Sequence, residues 1–153
     1  MTRELAQVEP PIGAFRAVVV DRAVVTAGFL DPGDRAGVMK DSAGVHEVLE
    51  AYFAGAVDAL DALDVAPQGT KFRRSVWKAL RDVHAGETVS YGELAARIGA
   101  PGAARAVGTA NATNPIGLVI PCHRVVRAGG ALGGYGFGVD RKRWLLEHEG
   151  ARR

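Results

Sequence analysis

The chain has 153 residues, 48% of them hydrophobic and 24% charged, a composition that is ordinary for a folded globular protein and excludes intrinsic disorder and a collagen-like repeat. Its apolar runs are far shorter than the ~20 residues that a membrane span needs, and we expect no secretory signal at the acidic N-terminus. The charge is unevenly distributed, since residues 1–70 carry 5 basic and 11 acidic side chains whereas residues 71–153 carry 14 and 6.

This asymmetry predicts two domains, an N-terminal one over residues 1–69 and a basic one over residues 70–153. An excess of basic side chains favours a polyanionic partner such as nucleic acid, although the same charges could simply solvate a surface. The single cysteine excludes an internal disulfide and indicates a reducing, cytosolic location.

In the first half, a β-hairpin is predicted over residues 18–25, where two runs of valine flank a two-residue polar break. Residues 30–42 are rich in Asp, Gly and Pro and are predicted to form a loop. A helix is predicted from Val45, because apolar residues recur from there at helical spacing, with Asp41 or Ser42 as its N-cap.

The second half is predicted to be mostly helical. Thr70 caps an amphipathic helix, and Ser90 and Glu93 form a capping box that opens a shorter one. A turn at residues 99–102 and a further helix over residues 103–112 complete a helix-turn-helix pattern.

Beyond this pattern, residues 118–120 (Leu-Val-Ile) predict a short extended run. A glycine-dense loop follows over residues 129–138. The last helix is predicted over residues 141–149, with Asp140 as its N-cap and Gly150 just past its end.

The second helix of the helix-turn-helix pattern is nearly all small, and Arg105 is its only long side chain. Reading a major groove needs several long polar side chains, whereas small residues let a backbone approach a narrow minor groove. The alternative is that the alanines pack against a neighbouring helix, and the pattern leaves both interpretations open.

Cys122 precedes His123 and Arg124. A lone cysteine is most often a small core residue, but a nearby base would make it a nucleophile. In an extended chain adjacent side chains point to opposite faces, so cooperation with His123 would need a bridging water or a local turn. Either Glu149 or His148 could orient that histidine.

The loop over residues 129–138 contains six glycines but lacks the spacing of a phosphate-binding or dinucleotide-binding loop. Its backbone could approach a planar ligand closely, with Tyr135 as an aromatic wall, or it could be only a flexible surface loop. The four histidines share no metal-ligand spacing, so we expect neither a metal nor a cofactor.

Residues 114–126 (Asn-Pro-Ile-Gly-Leu-Val-Ile-Pro-Cys-His-Arg-Val-Val) resemble the active-site motif of the O6-alkylguanine-DNA alkyltransferases, also called methylated-DNA–protein-cysteine methyltransferases. Further segments match this family in order and spacing: Ser90-Tyr91, residues 103–108, Gly134-Tyr135 and residues 144–150. The resemblance is strong from about residue 70 to residue 150. It implies a two-domain α/β fold, with a small N-terminal β-sheet and helix followed by a mostly helical domain that contains a winged helix-turn-helix.

The resemblance implies that the protein is a monomer that repairs duplex DNA by direct reversal. Whether several copies bind DNA cooperatively is left open. Cys122 would irreversibly accept an alkyl group from O6 of guanine after the base is flipped through the minor groove. Whether O4 of thymine is a second alkyl donor is left open. His123 would act as a base through a water, Glu149 would hold His123, and Asn114 would shape the turn before the cysteine. Without a second thiol, the chain would act only once.

The resemblance also implies a substrate pocket. Tyr91 would donate to guanine N3, Tyr135 would form one wall, and the Gly136 N–H would face O6. Backbone carbonyls near the cysteine, including that of Val125, would read the exocyclic amine. Phe137 departs from the family pattern, in which this position is often small, and it predicts either a narrower pocket or packing on the last helix.

On the DNA-facing helix, Arg105 would fill the gap left by the flipped base, beside Ala104, Gly108 and Thr109. Three alternatives remain: a non-catalytic sensor of alkylated DNA on the same fold, a DNA-binding regulator in which Cys122 is structural, and a cysteine hydrolase unrelated to DNA. The sensor is disfavoured because Cys122 is present, and the hydrolase does not explain the small-residue helix.

Overall fold

The computed structural model describes residues 3–31 and 44–151, and the chain divides into two compact units. The first unit comprises Met1–Gln68 and Pro115–Val119, and the second comprises Gly69–Asn114 and Ile120–Arg153. In the described part of the chain, no helix has the length and apolar character to cross a membrane.

The first unit contains a three-stranded antiparallel sheet. Its strands β1 (Arg3–Val8), β2 (Phe15–Val20) and β3 (Ala23–Phe29) lie in that order, and they are followed by helix α1 (Val45–Phe53) and a 3-10 turn at Ala59–Ala62. The predicted hairpin is confirmed, with φ of 51° at Asp21 and 71° at Arg22. Positive φ at both central residues is the geometry of a type I′ turn, which matches the twist of the flanking strands.

Alternate residues of β2 form the core of this unit. Phe15, Ala17 and Val19 are fully buried, whereas the residues between them are only partly so. The Phe15 ring packs edge-on against Phe29 and Phe53, with centroids 5.1 and 6.4 Å away. The period of two is that of a strand with one buried face.

The predicted extended run over residues 118–120 is wrong. Only Ile116 pairs with a strand, through a bridge to Ala27 of β3, and residues 117–119 form a turn in which Leu118 has φ of 69°. The apolar side chains are buried because of tertiary packing, and this burial overrides the preference of Val and Ile for strands.

The second unit is mostly helical, as predicted. Its helices are α2 (Lys71–Arg81), α3 (Tyr91–Arg97), α4 (Ala104–Ala112) and α5 (Val139–His148), and β4 (Val89–Ser90) pairs in parallel with β5 (Val125–Val126). Thr70 Oγ1 accepts the Arg73 N–H at 3.2 Å, and Ser90 forms the capping box with Glu93. These two predicted caps are confirmed, as is Gly150, which follows α5 with φ of 74°.

Glycines stand at the N-caps of two helices where side-chain caps were predicted. Gly44 precedes α1 with φ of 76°, Gly138 precedes α5 with φ of 98°, and neither helix has a side-chain cap hydrogen bond. The prediction that Asp140 caps α5 is therefore wrong. This residue lies in the first turn, where its negative charge still interacts favourably with the helix dipole. Asp41 and Ser42 lie outside the described residues.

Helices α2 and α4 are joined through Trp77. Its indole N–H donates to the Ala110 carbonyl at 2.8 Å, and its ring lies against Gly69, where an added Cβ would come within 2.6 Å of the ring. Because this ring is buried and bonded, it has little room to shift.

We therefore expect Gly69→Ala to destabilise the protein by roughly 1–3 kcal/mol, the usual cost of overpacking. Gly92→Ala is the matched control, since a Cβ at Gly92 in α3 meets nothing within 4 Å, and alanine favours a helix by about 1 kcal/mol. Urea unfolding of both variants measures the effect, and equal stabilities would contradict the close contact.

Candidate active site

Cys122 lies in a tight turn. Cys122–Arg124 form one turn of 3-10 helix before β5, and the cysteine is only 7% exposed. A local turn, one of the two arrangements that would allow cooperation with His123, is therefore present.

Cys122 lines a cleft of about 320 Å³ within the second unit, a volume at the lower end of the range for small-molecule sites. Two parts of this unit supply most of the remaining lining. From α3 and α4 come Tyr91, Gly108, Asn111 and Ala112, and from the glycine-rich loop come Gly134, Tyr135, Gly136 and Phe137.

His123 is fully buried, and its Nε2 lies 2.8 Å from Glu149 Oε2. Burial lowers the pKa of His123, and the Glu149 carboxylate offsets only part of that change, so the ring is neutral at pH 7. An ionised carboxylate can only accept, which places the single ring proton on Nε2. Nδ1 is consequently an unprotonated acceptor, and it has no hydrogen-bond partner among the described residues.

Arg124 keeps Glu149 ionised. Its Nε and Nη2 donate to the two Glu149 oxygens at 2.9 and 3.0 Å, and its Nη1 donates to the Val83 carbonyl at 2.6 Å. Burial would raise the pKa of Glu149, but His123 and Arg124 outweigh it and hold this pKa well below its ordinary value. Of the two residues that could orient His123, Glu149 contacts it, whereas the His148 ring stacks on Trp144 with the ring centroids 4.7 Å apart.

The thiol of Cys122 is protonated at neutral pH. Burial raises its pKa above the ordinary value of 9.0, while a hydrogen bond from the Asn114 side chain and the charge of Lys142 offset part of the rise. Asn114 also donates to the Ile120 carbonyl at 2.8 Å, which ties together the two ends of the segment 115–119. A nucleophilic thiolate at this position therefore needs a base to take the proton.

This raised thiol pKa predicts a steep pH dependence. Because only the thiolate reacts, alkylation of Cys122 by iodoacetamide should accelerate about tenfold per pH unit without levelling off below pH 9. As this is the only cysteine, labelling is unambiguous. Free cysteine, measured alongside, should level off earlier, and a plateau of Cys122 reactivity near pH 7 would contradict the raised pKa of this thiol.

Tyr135 and Phe137 bring aromatic surface to the cleft. Their rings are 5.6 Å apart and nearly perpendicular, and the Tyr135 ring lies 6.4 Å from that of His123. Burial, with Cys122 and Glu149 nearby, raises the pKa of Tyr135 well above its ordinary value, so the hydroxyl stays neutral. Of the two interpretations of Phe137, its place in the cleft lining favours the narrower pocket.

Helix α4 has two different faces. Val107 and Ala110 are buried, so part of the small-residue helix does pack within the unit. Arg105 and Thr109 are exposed, whereas Ala104 is half-buried. Gly108 lies against the Tyr91 ring, which a Cβ would approach to 3.8 Å, so small residues also let α4 reach the cleft.

Three buried polar residues were not predicted as part of the site: Asn111, Arg124 and Lys142. Asn111 donates to the Cys122 carbonyl at 3.4 Å, and Lys142 donates to the Val125 carbonyl at 2.6 Å. Val125 itself is fully buried and is not part of the cleft lining. Arg124 was visible in the Pro-Cys-His-Arg sequence, but no sequence signal marked the other two. The described residues contain no cluster of three possible metal ligands.

Comparisons with known proteins identify the family to which this chain is similar. Residues 71–151 match the family model described as 6-O-methylguanine DNA methyltransferase, DNA binding domain. The chain is 54% identical over 107 residues to the methylated-DNA–protein-cysteine methyltransferase of Salmonella typhimurium, and this match covers 70% of the chain and 63% of that protein. The matched part thus spans less than two thirds of the Salmonella protein.

Two other comparisons extend over nearly the whole chain. The methylated-DNA–protein-cysteine methyltransferase of Mycolicibacterium paratuberculosis is 45% identical over 152 residues, which cover 95% of this chain and 92% of the relative. The crystal structure of Mycobacterium tuberculosis OGT in complex with DNA matches with a TM-score of 0.84 and 43% identity, over 96% of this chain and 92% of the other.

Proposed function

Because this chain belongs to the 6-O-methylguanine DNA methyltransferase family, we propose that it repairs duplex DNA by direct reversal, moving an alkyl group from O6 of guanine to Cys122. The observation that carries the proposal is the position of Cys122 in the lining of the cleft, next in the chain to a neutral, carboxylate-bound histidine. Transfer forms a sulfur–carbon bond and breaks the carbon–O6 bond, whose electron pair stays on guanine. The resulting thioether has no carbonyl for water to attack, so each chain acts once.

In this mechanism His123 is the general base. The thiol proton passes through a bridging water to Nδ1, the nitrogen that geometry leaves unprotonated. The Glu149 carboxylate holds the Nε2–H and stabilises the imidazolium that forms. Arg124 keeps that carboxylate ionised, and Asn114 supports the sulfur by a hydrogen bond.

The cleft lining supplies the contacts to the base. Tyr91 donates to guanine N3 as the leaving base gains negative charge, Tyr135 packs against the ring, and the Gly136 N–H faces O6. Phe137 narrows the cleft and favours methyl over bulky groups. Val125 does not line the cleft and its carbonyl is bonded to Lys142, so we assign it no contact with the exocyclic amine.

We propose that residues 70–153, of which Pro115–Val119 belong to the first compact unit, form the DNA-binding and alkyl-acceptor domain. We also propose that the protein acts in the cytoplasm, where its thiol stays reduced. Basic residues of this part neutralise phosphates. The exposed, small face of α4, with Ala104, Gly108 and Thr109, enters the minor groove, and Arg105 fills the gap left by the flipped base.

Replacing Arg105 with alanine should slow repair of O6-methylguanine in duplex DNA much more than reaction with the free modified base, because only the duplex requires flipping. Arg97, the basic residue in the last turn of α3, provides the matched control through Arg97→Ala. Single-turnover rates on both substrates measure the ratio, and equal losses on both would argue against a gap-filling role.

The proposed reaction is tested by the intact mass of the protein after incubation with a duplex that contains O6-methylguanine. We expect a gain of about 14 Da, one methyl per chain, that maps to Cys122. An unmodified duplex is the control. Binding without a mass change would favour a sensor or regulator, and continued repair beyond one equivalent would contradict single use.

A further inference from the structure

Lys142 is fully buried, although lysine is rarely so without a charged partner. It lies in the middle of α5, and its Nζ donates to two backbone carbonyls, that of Val125 at 2.6 Å and that of Gly134 at 3.1 Å. In the part of the chain that the structure describes, no ion pair joins it to a carboxylate. An ammonium group that is buried against neutral acceptors alone costs stability, so its presence calls for an explanation.

The two carbonyls belong to the two backbone segments around the cleft. Val125 is the residue at which the Cys122–Arg124 turn ends, and Gly134 lies in the glycine-rich loop and lines the cleft. This loop also passes close to the ammonium, since a Cβ at Gly133 would lie 3.7 Å from Nζ. One side chain therefore ties the loop to the cysteine turn.

The ammonium group also affects the sulfur electrostatically. Its charge lowers the pKa of Cys122, and the thiolate in turn raises the pKa of Lys142. Burial has the larger effect on Lys142 and lowers its pKa to about 8, with a smaller contribution in the same direction from Arg127. Among the described residues, the groups that titrate or carry charge around Lys142 thus include Cys122, His123 and Arg127, and the ammonium also lowers the pKa of His123.

We propose that Lys142 is a positioning residue for alkyl transfer, whose ammonium fixes the glycine-rich loop against the cysteine turn and supplies a buried positive charge that favours the thiolate. The proposal extends the alkyl-transfer function proposed above. It assigns a role to a buried charge that the relay of Cys122, His123 and Glu149 does not use.

The test compares Lys142→Met, which removes the charge and both hydrogen bonds, with Lys142→Arg, which keeps the charge. Arg143→Met is the matched control, because Arg143 is an exposed neighbour on the same helix. Each full-length variant is assayed for the pH dependence of iodoacetamide alkylation at Cys122 and for single-turnover methyl transfer from an O6-methylguanine duplex. Thermal unfolding checks that each variant is folded.

We expect Lys142→Met to react about tenfold more slowly with iodoacetamide at pH 7, where most of the wild-type lysine is charged, which is a shift of about one pH unit in this part of its profile. We also expect this variant to transfer methyl at least tenfold more slowly. Lys142→Arg should restore the iodoacetamide profile but not the full transfer rate, because the longer guanidinium cannot bond both carbonyls in the same space. Arg143→Met should match the wild type in both assays.

A methionine variant with the wild-type pH profile would overturn the proposal, whether or not its transfer rate fell, because a purely structural loss leaves the thiol pKa in place. If this variant does not fold, the arginine variant decides: slower transfer with an unshifted profile supports the proposal, and a shifted profile overturns it. The iodoacetamide assay needs no DNA, so it tests Lys142 even if the wild type transfers no methyl.

Discussion

Replacing Cys122 with serine is expected to abolish alkyl transfer completely and to leave the affinity for duplex DNA unchanged. A serine hydroxyl is far less acidic and less nucleophilic than a thiol, so the neutral His123 cannot activate it to a comparable degree. The sulfur lies in the cleft and is 7% exposed, whereas Arg105 and Thr109 on the proposed DNA-binding face of α4 are exposed and unaltered. The Cys122→Ser variant should therefore lose alkyl transfer while it keeps its affinity for DNA.

Intact mass and fluorescence anisotropy with an O6-methylguanine duplex measure the two properties of the Cys122→Ser variant. Ser75→Ala, on the exposed side of α2, is a control for handling and folding and should transfer methyl normally. A serine variant that still gained one methyl would show that another residue is the acceptor. Loss of DNA binding along with transfer would mean that Cys122 also has a structural role.

Local signals in the sequence predicted those elements that local interactions stabilise. The caps at Thr70 and Ser90 and the hairpin turn at Asp21-Arg22 each depend on hydrogen bonds or backbone geometry within a few residues, and all three are confirmed. Such features can be predicted from the sequence because the residue that makes the interaction is only a few positions from the backbone group that it stabilises.

The errors arose where distant packing decides the conformation. Strand β1 was not predicted, since it is defined by pairing with β2 rather than by its own composition. Leu118 adopts a left-handed conformation in a buried turn, although its run of apolar residues is typical of a strand. The residue before α5 has a positive φ, which favours glycine, so Gly138 occupies the N-cap position that the sequence pattern assigned to Asp140.

In the site, too, the features marked by local sequence were predicted and those that depend on distant partners were not. The sequence singles out Cys122, Tyr91 and the glycine-rich loop, and the structure brings them to one cleft. Arg124 and Lys142 donate hydrogen bonds to carbonyls that are 41 and 17 residues away in the sequence, and no spacing rule links such partners. The catalytic roles of His123, Glu149 and Asn114 stay predictions that kinetics must test.

Glu149→Gln is expected to slow methyl transfer by roughly 10²- to 10⁴-fold, the usual contribution of a general base. The carboxylate accepts the Nε2–H of His123 and would stabilise the imidazolium, whereas a neutral amide stabilises it far less. In this variant, the apparent pKa of the Cys122 thiol in the repair reaction should rise. The same change leaves the buried Arg124 without its anion, so we also expect a loss of stability of about 3–5 kcal/mol.

The slower methyl transfer and the lower stability of Glu149→Gln can be distinguished by their pH dependence and by a matched control. The pKa of Glu149 is depressed in the folded state, so the stability that its charge contributes is present above its ordinary pKa of 4.5 and is lost as the pH falls below that value. The stability gap between wild type and Glu149→Gln should accordingly narrow in acid, while Glu147→Gln, at an exposed position of α5, should behave as wild type throughout. Single-turnover rates at temperatures where both variants are folded isolate the chemical step. A Glu149→Gln protein that is less stable but transfers methyl at the wild-type rate across pH would confine Glu149 to a structural role and remove it from the relay.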